Sequence, residues 1–509
     1  MPDRWTTNAF ELKGGLITNL SPLQHGIQLP GSARILRNFE PSQSGGYTRI
    51  EGFEKYDTNA VPSGVGPIRG IIRYNDRVYA AQNDRLYESA GSGWTQITNN
   101  ATYGSAGVNL NVGSAKVRFV KYNFDGTENF MLVDGTSKPF TFDGTTFKEL
   151  TGLSSDAQGA SHAVNFKNHI FLANGENLLF SAPYDDEDFT SASGGGIINI
   201  ADTVTGLIVF REQLIVFSQS KINRVVGSSV ADFTLQPVSQ DLGCIEADTI
   251  QEIGGDIIFL GPDGLRLFSA TDRVGDFNLA VISKPIQSET LDLISSGSSF
   301  NSCVIREKSQ YRIFAYRSAT TSGNSKALLA TQLQDSLAWS DIRGIKVYSS
   351  FSEYDGGVEY IYFGEDDGYV YQMEQGNTFD GTNITATFAT PFVPLQDPNL
   401  RKTLYKATTY IDANGAFDIQ LSIKYDFDQL GSVQPLPISL NSTSGATVTY
   451  GSGVFGTSTF GQKQRAIYQV PVTGSGFTVS LLYETLGQTT DSTFTIDAAT
   501  VQYALYGRR

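Results

Sequence analysis

Two cysteines, three histidines and one run of four acids are where this chain could do chemistry. Cys244 and Cys303 have neither disulfide-framework numbers nor metal-ligand spacing. Cys244 opens one repeated unit and Cys303 lies in the first strand of the next, so both read as small buried apolar residues. His25, His162 and His169 have no cysteine or carboxylate at ligand spacing around them. His162 opens a strand pattern and His169 falls in the adjoining hairpin turn, which places the two near each other as structural histidines. Asp185, Asp186, Glu187 and Asp188 are consecutive. Calcium wants six to eight converging oxygens, and four neighbouring acids cannot all turn onto one ion, so the run reads as a solvated loop. Gly-x-Ser-x-Gly, Gly-x-x-x-x-Gly-Lys and His-Glu-x-x-His do not occur. Glycoside hydrolysis needs two carboxylates facing each other across a groove. The nearest approach to a sialidase-type Ser-x-Asp-x-Gly-x-Thr-Trp turn is TFDGTTF from Thr141, which lacks the residue between Asp and Gly. FDGT recurs at Phe124, Phe142 and Phe379 and reads as a hairpin turn. No catalytic, metal-binding or cofactor-binding residue is assigned, and the chain is not expected to be an enzyme or to carry a cofactor.

The elements that would position any site are strands. Three short runs recur as a unit. The first runs are IRGIIRY from Ile68, KVRFVKY from Lys116, ASHAVNF from Ala160, VTGLIVF from Val204, TIQEIGG from Thr249, FNSCVIR from Phe300 and GIKVYSS from Gly344. Each is followed by a hydrophobic strand such as IFLAN from Ile170, and then, after a tight turn, by a third such as NLLFS from Asn177. The starts lie 44 to 51 residues apart, and self-similarity at that period with three or four short strands per unit is the signature of β-propeller blades. Seven Asp-Gly and two Asn-Gly pairs supply turns that need positive φ. Closure into a ring demands apolar inner and middle strands and a more polar outermost one.

The chain is expected to be all-β, a propeller of about seven blades followed by a C-terminal antiparallel β-sandwich. Residues 1–60 read as a leader whose strand region from about Tyr47 to Tyr56 closes the propeller, which takes 61–393. Residues 394–509 alternate with period two and read as the sandwich. Within it, 426–464 form a long Gly/Ser/Thr-rich loop whose Tyr450, Phe455 and Phe460 are candidate assembly contacts. Helical periodicity nowhere exceeds about two turns.

The 509 residues carry a net charge of −15, with 17% charged residues. That opposes a general nucleic-acid binder, which needs a basic patch. A negative wall would instead repel phosphates and let DNA slide past. MPDRWTTNAFELKGG lacks the apolar core of a signal peptide, and no run approaches the ~20 apolar residues of a membrane span.

Several short motifs carry a resemblance. They are Gly14-Gly15-Leu16, Leu36-Arg37-Asn38, Arg49-Ile50-Glu51-Gly52-Phe53, SAPYDDEDF from Ser181, the stretch from Val204 through IIFLGPDGLRLFS, and Leu505-Tyr506-Gly507-Arg508. In that order the chain resembles the tail nozzle, or packaged-DNA stabilisation, proteins of short-tailed bacteriophages. The resemblance implies a structural virion protein of the tail, assembled in the bacterial host cytoplasm as a homohexamer. Its implied partners are the tail adaptor, tail fibre or tip proteins, and double-stranded DNA passing through without sequence-specific binding. The alternative from a different class is a host-surface glycan-binding or depolymerising tail propeller.

Overall fold

In the computed structural model the chain is almost entirely β. The structure describes residues 5–98, 110, 115–150, 157–269, 281–428, 434–442, 464–487 and 492–506, apart from single positions 63, 65, 335 and 414. Among these residues no helix is long and apolar enough to cross a membrane.

The repeated units fold as antiparallel sheets around one axis. Blade two is typical, with Arg118–Tyr122, Asn129–Val133, Phe140–Phe142 and Phe147–Glu149 in sequential order. The hairpins are tight because two successive residues adopt positive φ, as at Asn75 and Asp76, and again at Lys167 and Asn168. Six blades have four strands. The fifth has three among the described residues, Gln251–Ile253, Asp256–Gly261 and Gly264–Leu267, with a single bridge from Arg266 to Val281 where a fourth would pair. Counting complete blades therefore gives six, one fewer than the seven repeats.

Between neighbouring blades lie separate apolar layers. Tyr74 and Tyr79 of blade one pack on Phe130 and Phe142 of blade two. Ile215 and Phe217 of blade four meet Ile257 and Phe259 of blade five. In several units the second strand is the most buried, as in His169–Asn174 and Gln213–Ser218. The innermost strands Arg118–Tyr122 and His162–Phe166 are less buried than expected, because one of their faces lines the axis, whereas Ile68–Tyr74 is buried throughout. Outermost strands such as Gly196–Asn199 alternate with solvent.

The leader does not act as one closing hairpin. Phe53–Lys55 seals the ring, pairing antiparallel with Val370–Met373 as the fourth strand of blade seven, with Phe379 paired parallel to it on the far side. Phe53 is fixed there by Phe363, Tyr371 and Phe379, all at 5.0–5.2 Å between ring centroids. Tyr47–Arg49 instead pairs with Phe39–Pro41 and with Phe494–Tyr506 of the sandwich, and Thr6–Glu11 also lies on Phe494–Tyr506. Ile35–Arg37 takes a third position. It runs parallel to Leu337–Ile342 of blade six and antiparallel to Thr387–Ala389 of the sandwich, making one nine-stranded sheet across both domains. Strands of three residues bury too little to stand alone, so each occupies an open edge of a larger sheet. The sandwich consequently begins at Thr387–Ala389, before residue 394, and much of the leader belongs to it.

The sandwich sheets face each other through Phe417 against Phe494 and through a 2.8 Å hydrogen bond between Thr409 Oγ1 and Tyr483 Oη. Their core is continuous with that of blades five and six, through Phe10, Leu36, Phe39 and Tyr47 of the leader. Among the described residues two short α-helices, Pro22–Gln28 and Gln287–Ser296, interrupt an otherwise all-β chain. The second buries only Thr290 and Leu293, too few positions to mark a periodic face.

Leader, blade six and blade seven meet at a charge cluster. Lys308 Nζ lies 2.9 Å from Glu40 Oε1 and also pairs with Glu374. Arg312, almost wholly buried, reaches Glu40 at 3.2 Å and Glu374 at 2.7 Å. Glu51 is the third carboxylate, 3.7 Å from Lys308. Burial raises both acids, but Arg312 and Lys308 outweigh it at Glu374 and hold that carboxyl at about 2. Glu51 is pushed up to about 7, by burial first; Lys308 opposes, and Glu374 and Glu40 add to the rise.

A carboxyl raised in the folded state holds its proton there longer than in the unfolded chain. Its contribution to stability is complete below about 4.5 and is lost as pH climbs through about 7. Glu51→Gln mimics the protonated form. It should melt like the parent at pH 5 and be more stable at pH 8 by about 1 kcal/mol, a figure reduced because the side chain is partly open to solvent. Thermal melts at the two pH values check this; a variant less stable at pH 8 would mean that ionised Glu51 is a net attraction to Lys308.

Candidate functional site

The innermost strands converge on a polar cavity of about 260 Å³ at the propeller axis. Lys116 and Arg118 enter from blade two and Asp248 from the start of blade five, so their pairing spans the ring. Arg118 grips Asp248 with two bonds, Nε to Oδ1 at 2.8 Å and Nη2 to Oδ2 at 3.0 Å. A third reaches Glu246 at 3.3 Å. Lys116 Nζ lies 2.8 Å from Asp248 and donates to the Phe300 carbonyl of blade six at 2.6 Å. Burial would raise the Asp248 carboxyl, but Arg118 and Lys116 outweigh it and hold it far below the carboxylate range. Burial would likewise lower Arg118, and Asp248 and Glu246 more than reverse that.

Other blades are tied in by shorter reaches. Ser302 Oγ donates to the Asp248 carbonyl at 2.7 Å, and Ser350 Oγ to the Ser302 carbonyl at 2.9 Å. Ser349 Oγ donates to the Ile68 carbonyl at 2.6 Å, joining blade seven to blade one. Arg69 donates to the carbonyls of Ala115 and Asn83. Further along the inner strands, Lys121 of blade two meets Glu353 of blade seven at 2.5 Å, and Arg73 of blade one meets Asp355 at 2.9 Å. Such an arrangement braces the hub. Its charges are spent on one another across the ring, and a bidentate guanidinium–carboxylate pair fixes orientation as well as distance.

The residues singled out in the sequence take structural places. His162 and His169 stand at opposite ends of one hairpin, in register with Ala173 and Phe166 respectively, so they do not come together. His162 lines the axis with Nδ1 at 2.8 Å from Ser161 Oγ; burial, then the Arg118 charge, lower its pKa to about 3 and leave it neutral. His169 Nδ1 is 2.6 Å from the Ser181 carbonyl, and His25 Nε2 is 2.6 Å from Ser32 Oγ. Cys244 and Cys303 are buried free thiols, each pushed up to about 12 by burial. In the acidic run Asp185 Oδ1 accepts from the amides of Glu187 and Asp188, Asp186 accepts from Tyr122 at 2.6 Å, and Glu187 pairs with Lys148. The run is thus a strut onto blade two. Asp143 of the FDGT turn accepts from the amides of Thr145 and Thr146. Tyr450, Phe455 and Phe460 lie outside the described residues. The axial pairing was missed from sequence. A period-two reading of KVRFVKY puts Lys116 and Arg118 on one face, but nothing local connects them to Asp248.

Arg118→Gln leaves a buried carboxylate short of its main partner and should cost roughly 3 kcal/mol. Adding Asp248→Asn should recover part of that loss. Melting of the two single variants and the pair checks it; strictly additive losses would mean no coupling across the axis.

No protein-family profile and no curated protein matches this chain. Solved structures give shallow likenesses. One is the extracellular domain of a hybrid two-component system from B. thetaiotaomicron, at 10% identity and TM-score 0.33, over 73% of this chain and 41% of that one. Another is a glycoside hydrolase family 43 arabinoxylan arabinofuranohydrolase from Bacillus subtilis, at 10% identity and TM-score 0.29, over 89% and 98%. A third is PorZ of the type-IX secretion system of Porphyromonas gingivalis, at 12% identity and TM-score 0.39, over 67% and 43%.

Proposed function

We propose that this chain is a structural subunit of the tail nozzle of a short-tailed bacteriophage. Six copies form a tube below the portal and adaptor, hold back packaged DNA and conduct it during ejection. The reading starts from the resemblance of the leader, blade and C-terminal motifs. The observation that carries it furthest is mechanical. Ile35–Arg37 joins blade six to the sandwich in one nine-stranded sheet, and a continuous core runs beneath that sheet. A part that bears load without chemistry benefits from two domains that cannot hinge.

The propeller's own axis does not serve as the DNA path. It is crossed by the Arg118–Asp248 pair, beside a cavity of about 260 Å³. A duplex whose major groove alone is ~12 Å wide cannot enter it. The proposed path lies between copies, in a ring closed by head-to-tail contacts. The net charge of −15 suits a wall along which a polyanion slides without sticking.

Electron microscopy of the purified protein, or of virions carrying it, should show a six-fold ring with a central hole. A monomeric disc that releases reducing sugar from host polysaccharide would overturn the nozzle in favour of a depolymerising propeller. Titration of the assembled ring with double-stranded DNA should give only weak, salt-sensitive binding. Micromolar or tighter affinity at physiological salt would contradict a sliding wall.

A further inference from the structure

We propose that the groove between blade seven and the sandwich binds a cationic group, a primary ammonium or a guanidinium, on Glu365. The groove has a volume of about 980 Å³ and is lined by charged and polar side chains over an aromatic floor of Phe53 and Phe379. Glu365 lies in the turn between Val358–Gly364 and Val370–Met373, and only 7% of its surface is exposed. Its backbone carbonyl accepts from the Ile68 amide at 3.0 Å, so the seam between blades seven and one fixes its position.

The other ionisable groups around the groove are engaged. Arg37 Nε and Arg343 Nε share Asp341 Oδ2 at 3.1 and 2.9 Å. Lys326 pairs with Asp292, and Asp380 with Lys55 at 3.0 Å. On Glu365's own turn, Asp366 takes Lys346 at 2.6 Å and the Tyr316 hydroxyl at 3.1 Å. Asp367 takes the Tyr371 hydroxyl at 2.7 Å and the Tyr369 amide at 3.0 Å. Lys346 is also committed to the Ser318 carbonyl.

Glu365 is the exception. Among the described residues its carboxyl receives one hydrogen bond, a long one of 3.3 Å from Ser322 Oγ to Oε2. A carboxylate has about four acceptor positions, and this one faces a groove large enough for a side chain. Burial first, then the charges of Asp367 and Asp366, push it up to about 7, while Lys346 and Ser322 pull the other way. At Glu365 itself the neighbouring carboxyls of Asp367 and Asp366 outweigh Lys346, so the charge missing there is positive. A guanidinium could meet Glu365 with two parallel bonds. An anion would add repulsion, and a neutral group would leave the excess charge in place.

The test uses the full-length protein and does not depend on whether it forms a ring. Arginine amide is titrated at pH 8 and pH 6, with citrulline amide as the uncharged isostere and spermidine as a free polyamine. Saturable binding of arginine amide and none of citrulline amide is expected. The affinity should be roughly tenfold weaker at pH 6, because the ligand must displace a proton from a group that titrates near 7. Tighter binding of spermidine than of arginine amide would assign the site to free polyamines; the reverse would assign it to a partner's side chain. Glu365→Gln should abolish binding while melting as the parent does at pH 6, and Glu365→Asp, which retracts the charge, should weaken it. Equal binding of the citrulline isostere, undiminished binding by Glu365→Gln, or no binding of either cation at pH 8 would overturn the proposal.

Discussion

A ring of antiparallel sheets has one seam, and most of this molecule is arranged around sealing it. Each blade buries its faces against two neighbours, so an unsealed seam exposes two apolar layers at once. Phe53–Lys55 closes it by adding a strand from the beginning of the chain to a blade made near residue 370. That strand has only three residues and needs anchoring at both ends. Downstream, Tyr56 and Val61 donate their amides to Val370 and Gly368. Upstream, Glu40 and Glu51 lie in the cluster with Lys308, Arg312 and Glu374. Before it reaches the seam the same leader has already crossed the sandwich and bridged it to blade six. Sealing the ring and docking the second domain are therefore one event.

The axis shows what such a ring does with its centre. Seven inner strands converge where side chains are too few to fill the space with apolar matter. Polar groups fill it instead, and the desolvation of Asp248 is offset only because Arg118 and Lys116 both reach it. A buried ion pair of this kind is weak evidence for stability, but it is orientation-specific. Blade two can face blade five in one register only.

The sequence carried the ring well because blades are local. Each hairpin is written in adjacent residues, with a hydrophobic second strand such as IIFLG and a turn residue that tolerates positive φ. The leader was harder to read. ARILRNFEP and YTRIEGFEKY look like one hairpin, and Phe39–Pro41 does pair with Tyr47–Arg49, but Ile35–Arg37 and Phe53–Lys55 part from that pair because blade six, blade seven and the sandwich each offer an open edge. Nothing in three residues encodes a partner more than 300 positions away. The axial pair is hidden for the same reason, with Arg118 and Asp248 separated by 130 residues. The groove at Glu365 was illegible because its meaning lies in what the carboxyl lacks, which only the packed neighbours reveal. The helix Gln287–Ser296 was missed because two inward residues leave no periodic trace.

Hydrogen exchange followed by mass spectrometry tests the central claim most directly. Peptides covering 53–55 and 35–37 should be as strongly protected as the one covering 370–373. In Phe53→Ala, which removes a ring packed on three others, protection at 53–55 and 370–373 should fall together while blade three keeps its own. Rapid exchange at 53–55 in the parent protein, with 370–373 still protected, would show that the ring is closed without the leader and would contradict the account.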